Sequence, residues 1–492
     1  MRLSKSQYIR GLQCHKALWQ YHHRRERMTA ADANRQALFA SGHEVGQLAQ
    51  TLFPGGREIA FDYQRIDLMI EQTARLIDSG VEIIYEATFA SGDLLVMADI
   101  LLREGDHWNF YEVKSSTRVK PYHLQDAAFQ WRVLGDHLRL GKAHIVHIDT
   151  RYRRQGELDP QQLFHIADVT DSVTQMQTGL ESRIEPMLAM LQDSEPEIDI
   201  GVQCNSPFEC DFKAWCWQAI PQPSVFNLRR LRGERKFELY HQGLVNYRDL
   251  QQQPLDPAQT LQVNSALSGA AHVDAGQLAE FIGSASYPIH FLDFETLQQA
   301  LPKFDGLKPY QQIPFQYSLH ILHSHGELEH REFLAETASD PRPALAAKLA
   351  TDIGPQGSIV AYSKSTEIKA INSLAASSDE HAPALQAMTN RFLDLLTPFR
   401  GLMYYHPDFN GDFSIKSVLP AMFPQDAGAD YHQLEVQDGR MAMNEYARLA
   451  QLTDADQRHQ LRAALLAYCR LDTLAMVKIW QTLEQLANPA RH

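Results

Sequence analysis

The chain has 492 residues, of which 44% are hydrophobic and 22% are charged. This composition is typical of globular proteins, and the length exceeds what one hydrophobic core usually serves, so two or three domains are expected. The charged start at residues 1–5 leads into no long apolar run, which argues against a secretory signal or a membrane span and predicts a cytoplasmic protein.

The formal net charge of -14 argues weakly against a nucleic-acid partner, because phosphate binding depends on lysine and arginine. Basic residues nevertheless cluster at 24–27, 151–154 and 229–236. Each cluster either follows a phosphate backbone or forms a solvated face. The charge pattern leaves both interpretations open.

The first part of the chain predicts an α/β domain. Strands are indicated at 82–89, 94–100 and 108–114, and a helical pattern at 122–140 precedes a strand at 144–149. Glu112 and Lys114 share one face of their strand, and a hairpin would bring Asp99 near Glu112. The two carboxylates are candidate ligands for Mg²⁺ or Mn²⁺, and Lys114 is a candidate for orienting or deprotonating a water. An exposed Glu/Lys pair on an edge strand is the alternative.

An Asp followed by Glu-x-Lys on the next strand resembles the PD-(D/E)XK nuclease superfamily. Gln125, followed by Gln130 on the next helix, resembles the helical extension of its RecB-like enzymes, and implies a DNA contact for Gln125. His43 is similar to the histidine that adds a nitrogen ligand to the metal in those enzymes. One position departs from the pattern, because Phe129 stands where they usually have a tyrosine.

Four of the five cysteines suggest a metal site. Disulfides are not expected in a reducing compartment, and a cysteine group without neighbouring histidines fits a tetrathiolate site. The layout resembles the iron–sulfur nucleases of the RecB-like group, including the CRISPR-associated exonucleases, which implies a [4Fe-4S] cluster. The spacing on both sides of Cys210 is longer than theirs, so Zn²⁺ and buried free thiols stay open as alternatives. The four residues are Cys14, Cys204, Cys210 and Cys216.

The sequence predicts three regions. Residues 1–222 form the RecB-like PD-(D/E)XK domain, and the proline-rich break at 221–224 marks its end. Residues 223–280 read as a helical connector, rich in basic and then polar residues. Residues 281–492 form a second α/β domain that begins on an apolar strand and ends on a long helical pattern at 454–486.

The second domain carries its own carboxylate pattern. Asp293 and Glu295 lie two apart on the apolar strand, so both face one side. Helical periodicity at 463–476 places Tyr468 one turn from Asp472. Three carboxylates can hold two divalent ions roughly 4 Å apart, and a tyrosine hydroxyl can position the attacking water.

D-x-E on a strand with Y-x3-D on a terminal helix resembles the DEDDy branch of the RNase H-like, DnaQ-like exonucleases. The resemblance implies a fourth acid, and Glu367 takes that role after the strand at 359–362. Ser363 and Glu367 stand where that family usually shows Asn and Asp. Asp394 is the competing candidate, and a capping or core-edge aspartate is its alternative interpretation.

Nearly the whole chain resembles a bacterial family that fuses a RecB-like nuclease to an RNase H-like exonuclease domain. The resemblance implies a nuclease dependent on Mg²⁺ or Mn²⁺ that acts on DNA single strands or strand ends, with a helicase or a repair or defence system as partner. Tyr404 and Tyr405 are expected to stack bases. Two alternatives stay open: one domain, the C-terminal one first, serves as a nucleic-acid-binding module, or the substrate is RNA.

Overall fold

The computed structural model describes residues 2–426 and 431–488. Helices and mixed sheets make up the α/β architecture. Contacts divide the chain into two units, the first formed by Met1–Ala219 with Gln299–Gln311 and the second by Ile220–Gln298 with Gln312–His492. None of the described helices combines the length and the apolar composition that crossing a bilayer requires.

The first unit is built on a seven-stranded sheet. Six strands follow the order β2-β3-β4-β5-β6-β7, and the seventh, β1, pairs in parallel with β4. The pairings β3–β4, β4–β5 and β6–β7 are antiparallel, whereas β5–β6 is parallel. The elements are β1 Leu3–Ser4, α1 Lys5–Gln13, α2 His15–His23, α3 Ala33–Gln50, β2 Arg57–Glu58, α4 Ile66–Asp78, β3 Ile83–Ser91, β4 Leu94–Glu104, β5 His107–Lys114, α5 Pro121–Gly135, β6 Leu140–Ile148, α6 Pro160–Leu163, β7 Phe164–Asp168, α7 Thr170–Gln177, α8 Glu181–Met190 and α9 Lys213–Cys216.

Helix α5 covers one face of this sheet, because Ala127, Phe129 and Val133 are fully buried in the core that the strands share with α1 and α8. The predicted helix at 122–140 is shorter in the structure. It ends at Gly135, and Leu140 already begins β6, paired in parallel with β5. The prediction had therefore combined helix α5 with the first residue of strand β6.

Residues 299–311 belong to the first unit although they lie between β9 and β10 of the second unit in sequence. Ala300, Leu301 and Tyr310 pack into a cluster with Tyr111 and Val146 of the first sheet. The Tyr310 hydroxyl donates to the backbone carbonyl of Ser115. The division of the chain is therefore not a single cut.

The second unit is built on a five-stranded sheet of order β11-β10-β9-β12-β13. The first three strands are antiparallel, and β12 and β13 run parallel to β9. The elements are α10 Gly233–His241, α11 Tyr247–Leu250, α12 Pro257–Ser268, β8 His272–Val273, α13 Ala275–Gly283, β9 Ile289–Leu297, β10 Ile313–Leu322, β11 Leu328–Leu334, α14 Pro341–Asp352, β12 Ile359–Ala361, α15 Lys364–Ala375, α16 Ala382–Met388, β13 Phe392–Asp394, α17 Thr397–Arg400, β14 Tyr404–Tyr405, α18 Ile415–Met422, α19 Gly439–Leu449 and α20 Ala455–Ala487.

Helix α20 is the longest described element, with 33 residues, and Asp454 caps its N-terminus by accepting a hydrogen bond from the backbone of Gln457. Leu465, Ala475, Met476 and Ile479 of this helix are fully buried. Such apolar residues recur at helical spacing, so one face of α20 packs against β9 and β10. Polar residues of α20 that border this face therefore lie next to the sheet.

The region read as a helical connector, 223–280, is helical and has a small core of its own within the second unit. Val225, Leu228, Leu239, Tyr247 and Leu250 pack together there with Val263. Its contacts place it in the second unit.

Candidate functional site

The first candidate site lies where β4 and β5 run side by side. The pair Ile100–Tyr111 sets the register, which places Asp99 beside Glu112. Asp99 Oδ2 accepts a hydrogen bond of 2.7 Å from the backbone of Val113. The antiparallel hairpin therefore brings the two predicted carboxylates together, as alternating strand geometry requires.

Glu112 is surrounded by donors. Its side chain is 2% exposed, and Lys5 Nζ lies 2.9 Å from each of its two oxygens. Lys114 Nζ donates to Oε1 at 2.6 Å and Gln130 Nε2 to Oε2 at 2.7 Å. Burial acts to raise the pKa of Glu112, but the Lys114 and Lys5 ammoniums outweigh it and lower that pKa. Each oxygen has two donors, which fills the usual acceptor capacity of a carboxylate.

Asp126 is a part of this site that the sequence did not reveal. Lys114 Nζ donates to Asp126 Oδ2 at 2.6 Å, and Gln130 Nε2 donates to Oδ1 at 3.4 Å. Its position four residues before Gln130 on α5 was the available signal, because residues so spaced share a helix face. Gln125 points elsewhere, since its Oε1 accepts a hydrogen bond of 2.9 Å from Arg183.

A cavity of about 230 Å³ adjoins the two carboxylates. His43 is on its wall, with Gln47 Nε2 at 3.1 Å from His43 Nε2. Glu86 also faces it and was not predicted. The complete lining is Gly42, His43, Gly46, Gln47, Gln50, Glu86, Asp99, Glu112 and Val113.

The acids of this cavity repel one another. Burial, followed by the charge of Asp99, raises the pKa of Glu86 to about 7. Burial, followed by the charge of Glu112, raises the pKa of Asp99 to about 6. Glu86 also has a φ of 56° in the middle of a strand, a left-handed conformation that is unfavourable for a non-glycine residue. A cation in the cavity would relieve the repulsion.

The four predicted cluster cysteines line one small cavity together with Lys16 and Lys213. All four are free thiols. Burial, with smaller contributions from the other three cysteines, raises the pKa of Cys210 to about 11. Thiols that share one cavity with two lysines suit a tetrathiolate centre, because the lysines offset part of the thiolate charge.

The second candidate site lies on β9 and on the helices packed against it. Asp293 and Glu295 face the same side, and Cys469 of α20 joins them so that one ligand atom from each lies within 4.8 Å of the others. Glu367 enters from α15, with its Oε2 accepting a hydrogen bond of 3.1 Å from the backbone of Phe294. The predicted pair and the predicted fourth acid therefore meet.

Asp472 completes a group of four carboxylates. Tyr431 donates to Asp472 Oδ1 at 2.5 Å, and Tyr468 lies one turn earlier on α20 with its ring 6.1 Å from that of Tyr431. Burial raises the pKa of Asp472 to about 6, and the Tyr431 hydrogen bond and the Lys416 charge oppose the shift. Tyr431 was not predicted, because it lies far from the other motifs in sequence.

Within residues 2–426 and 431–488, no lysine, arginine or histidine forms an ion pair with any of these four acids. Lys416, whose charge acts to lower the pKa values of Glu295 and Asp472, lies 5.4 Å from the ring centres of Tyr431 and Tyr468. Burial and the neighbouring carboxylates raise the pKa values of Asp293 and Glu295 well above normal. Burial raises that of Glu367 to about 8. Buried carboxylates without a paired cation are unfavourable, and a divalent cation would compensate them.

The competing candidate, Asp394, has a structural role. It accepts hydrogen bonds from the backbone of Ser363 at 3.2 Å and of Leu396 at 3.1 Å. Ser363 adopts a left-handed conformation with a φ of 78°. Asp394 therefore holds the chain just before α15, which agrees with the capping interpretation.

The expectation that Tyr404 and Tyr405 stack bases is wrong. Tyr404 is 7% exposed and Tyr405 is fully buried, with both rings packed edge-on against Phe409. They form strand β14, which pairs with β8.

Two of the predicted basic clusters are used partly for structure. Arg154 donates to the carbonyls of Gly156 and Pro302 within the first unit. Arg229 lies over the Phe413 ring at 4.6 Å and donates to the Arg400 carbonyl in the second unit. Arg151, with 84% of its side chain exposed, pairs with Asp149 and still faces solvent.

Residues 290–414 match a sequence family described as a domain of unknown function, DUF2779. The matched segment contains Asp293, Glu295 and Glu367, and it ends before Tyr468 and Asp472. No curated protein gives a significant match to the chain. The match marks residues 290–414, most of which belong to the second unit, as a recurrent domain and carries no activity with it.

Proposed function

We propose that this protein is a nuclease that hydrolyses phosphodiester bonds with Mg²⁺ or Mn²⁺, and that the second unit carries a DEDDy-type exonuclease site. The observation that supports it most is the convergence of four carboxylates, three buried and that of Asp293 partly buried, without an ion-paired cation. These residues would hold two ions: Asp293, Glu295, Glu367 and Asp472. Divalent ions there would neutralise the phosphate and lower the pKa of the attacking water.

The side chains around the acids fit this chemistry. Tyr468 places a hydroxyl beside Asp472, and its high pKa, raised by burial and by Asp472, keeps it protonated as a hydrogen-bond donor. A protonated hydroxyl can orient a water for attack on phosphorus without competing for the cation. Lys416, over the Tyr431 and Tyr468 rings, adds positive charge near the phosphate position.

The arrangement of the sheet also supports an RNase H-like fold for this unit. Asp293 and Glu295 are on the central strand β9, and Glu367 follows strand β12, which pairs directly with β9. Asp472 comes from the helix that packs on β9 and β10. The motif order predicted from the sequence thus corresponds to one contiguous site.

For the first unit we propose a RecB-like PD-(D/E)XK fold with a second metal site at His43, Asp99 and Glu112. Two features support it: the cavity that these three residues line and the contact of Lys114 with Glu112 at 2.6 Å. Lys114 would hold and orient a water beside the phosphate. We propose a [4Fe-4S] cluster at the four cysteines, with Zn²⁺ as the alternative.

A second candidate function concerns the first unit alone. Lys5, Lys114 and Gln130 already occupy both oxygens of Glu112, which argues against a bound metal ion, and we propose as the alternative that this unit binds nucleic acid without cleaving it. The earlier expectation had placed this role in the C-terminal domain. The ion pairs favour the N-terminal one.

End-labelled single-stranded DNA, double-stranded DNA and RNA test the proposal in Mn²⁺. We expect Asp293→Asn to remove most exonucleolytic cleavage, Glu112→Gln to remove any remaining cleavage, and DNA to be degraded faster than RNA. Asp408→Asn is the matched control, because Asp408 is 76% exposed in the second unit. Undiminished cleavage by the double variant would refute the nuclease assignment, and DNA binding in chelator without any cleavage in Mn²⁺ would favour a binding module.

A further inference from the structure

Lys5 has a place in the first site that no motif predicted. It is the first residue of α1, whose N-terminus is fixed by a capping box between Ser4 and Gln7. Strand β1, directly before it, pairs with β4 through Leu3 and Leu94. The backbone of Lys5 is therefore anchored next to the strand that carries Asp99.

The Lys5 ammonium lies in a shell of oxygens. Its Nζ is 2.9 Å from both Glu112 oxygens, 3.5 Å from Asp99 Oδ1 and 3.0 Å from the Met97 carbonyl oxygen. Carboxylate and carbonyl oxygens are the ligands that Mg²⁺ and Mn²⁺ prefer. The ammonium is a cation held by the same two carboxylates that the proposed metal requires.

The donors on Glu112 are not equally replaceable. Lys114 and Gln130 also contact Asp126, at 2.6 Å and 3.4 Å, so moving either one leaves one oxygen of that buried acid without its donor. Lys5 contacts Asp99 instead. A divalent ion between Asp99 and Glu112 would replace the Lys5 charge at both acids, and it would leave the Asp126 contacts intact.

We propose that Lys5 is a tethered competitor of the metal ion: its ammonium holds Asp99 and Glu112 together in the metal-free protein, and a divalent cation must displace it to bind. Lys5 is thus a positioning residue that keeps two like charges close and sets the metal affinity of the first site. This inference rests on the proposed function, because it takes Asp99 and Glu112 as metal ligands.

A Mn²⁺ titration tests the competition by calorimetry on the full chain, with the second site neutralised by Asp293→Asn and Glu367→Gln. In this background, Lys5→Met should lower the dissociation constant of the first site by about tenfold or more, a change of about 1.4 kcal/mol. Lys142→Met is the control, because Lys142 forms an exposed ion pair with Asp168 in the same unit. It should leave the dissociation constant unchanged.

Reductive methylation tests the displacement without a substitution in the first site. In the same background, Lys5 should react slowly in chelator and faster in saturating Mg²⁺, as read by peptide mass spectrometry. Lys142, with 60% of its side chain exposed, is the reference amine in the same sample. This measurement decides the question should Lys5→Met fail to fold.

The outcomes separate the two proposals. Binding of Mn²⁺ with the same affinity in the Lys5→Met variant, or an unchanged methylation rate of Lys5 with the metal bound, would overturn the role of Lys5 and leave the metal site standing. Absence of Mn²⁺ binding at the first site with either residue at position 5 would overturn both.

Discussion

Glu367 Oε2 accepts a hydrogen bond from the backbone N–H of Phe294, the residue between Asp293 and Glu295. This hydrogen bond of 3.1 Å links the carboxylate of Glu367 on α15 to strand β9, which carries Asp293 and Glu295. The acid is thus held in place before any ion binds, which reduces the reorganisation that binding requires.

We therefore expect Glu367→Gln to weaken Mn²⁺ binding at the second site by at least about tenfold, or 1.4 kcal/mol. A glutamine has the same shape, and its carbonyl oxygen still accepts a hydrogen bond from Phe294. The substitution therefore removes the negative charge of the carboxylate and should leave the fold unchanged. Calorimetric titration measures the effect, with Glu112→Gln present in both proteins to silence the first site. Glu380→Gln is the matched control, since Glu380 is 86% exposed in the same unit. Equal affinities of the two variants would exclude Glu367 as a ligand.

The same residue predicts a pH dependence of the metal-free protein. Burial raises the folded-state pKa of Glu367 to about 8, against about 4.3 in an unfolded chain. Between these values the folded state binds the extra proton, so stability falls as the pH rises, by at most about 1.4 kcal/mol for each pH unit. Glu367→Gln removes this dependence, and its stabilisation relative to the wild type should grow from pH 5 towards pH 8.

Hydrogen exchange in chelator measures this locally, because a two-unit chain need not unfold in one step. Peptides that cover β9 should become better protected in Glu367→Gln than in the wild type at about pH 8, and equally protected near pH 5 after correction for intrinsic exchange. Protection of the variant that is no greater at high pH would mean that Glu367 carries no such penalty.

Tyr468→Phe tests the hydroxyl in the second site. We expect the maximal rate of exonucleolytic cleavage to fall roughly 100-fold, because the water loses its orienting donor while the ring still packs against Tyr431. Mn²⁺ affinity and the Michaelis constant should change little. Single-turnover cleavage in the Glu112→Gln background isolates the second site.

The control for this prediction is Tyr446→Phe. Tyr446 is also buried, stacks on Phe315 with ring centres 4.0 Å apart and donates to the Glu336 carbonyl. Its variant should keep the wild-type rate. An equal loss in both variants would show that packing, and not the Tyr468 hydroxyl, controls the rate.

Much of both sites could be predicted because it follows from local periodicity. Two-residue spacing on β9 places Asp293 and Glu295 on one face, and four-residue spacing on α20 places Tyr468 beside Asp472. The helix predicted at 454–486 is observed at Ala455–Ala487, with Asp454 as its cap. Where a regular helix or strand has a strong apolar pattern, the sequence predicts both its length and the face on which its polar residues lie.

What the sequence did not reveal depends on long-range packing. Lys5 and Glu112 are 107 positions apart, and no spacing rule relates the start of α1 to the fifth strand of a sheet. Tyr404 and Tyr405 show the same limit, because the sequence did not reveal that both rings are buried. The assignment of residues 299–311 to the first unit likewise depends on Ala300 and Leu301 finding an apolar surface that lies far away in the chain.

The cysteine cluster gives the last prediction. Cys210→Ala should abolish the absorption at about 400 nm of anaerobically purified protein if the cluster is [4Fe-4S]. It should also increase hydrogen exchange around residues 200–216, because a metal centre that joins distant segments contributes to folding. Cys210 is suited to the test, since its backbone N–H also bonds the Cys204 carbonyl at 2.9 Å, a contact that the substitution keeps.

Cys469→Ala is the matched control, because Cys469 is a buried cysteine of the second unit and is not one of the four cluster cysteines. Its thiol lies 3.8 Å from Asp293 Oδ2. It should keep the full absorption. A colourless wild-type protein with stoichiometric zinc that Cys210→Ala releases would establish the Zn²⁺ alternative. If the wild-type protein holds neither metal and Cys210→Ala leaves hydrogen exchange unchanged, the four thiols are ordinary buried side chains. In that case they contribute to stability only through apolar packing.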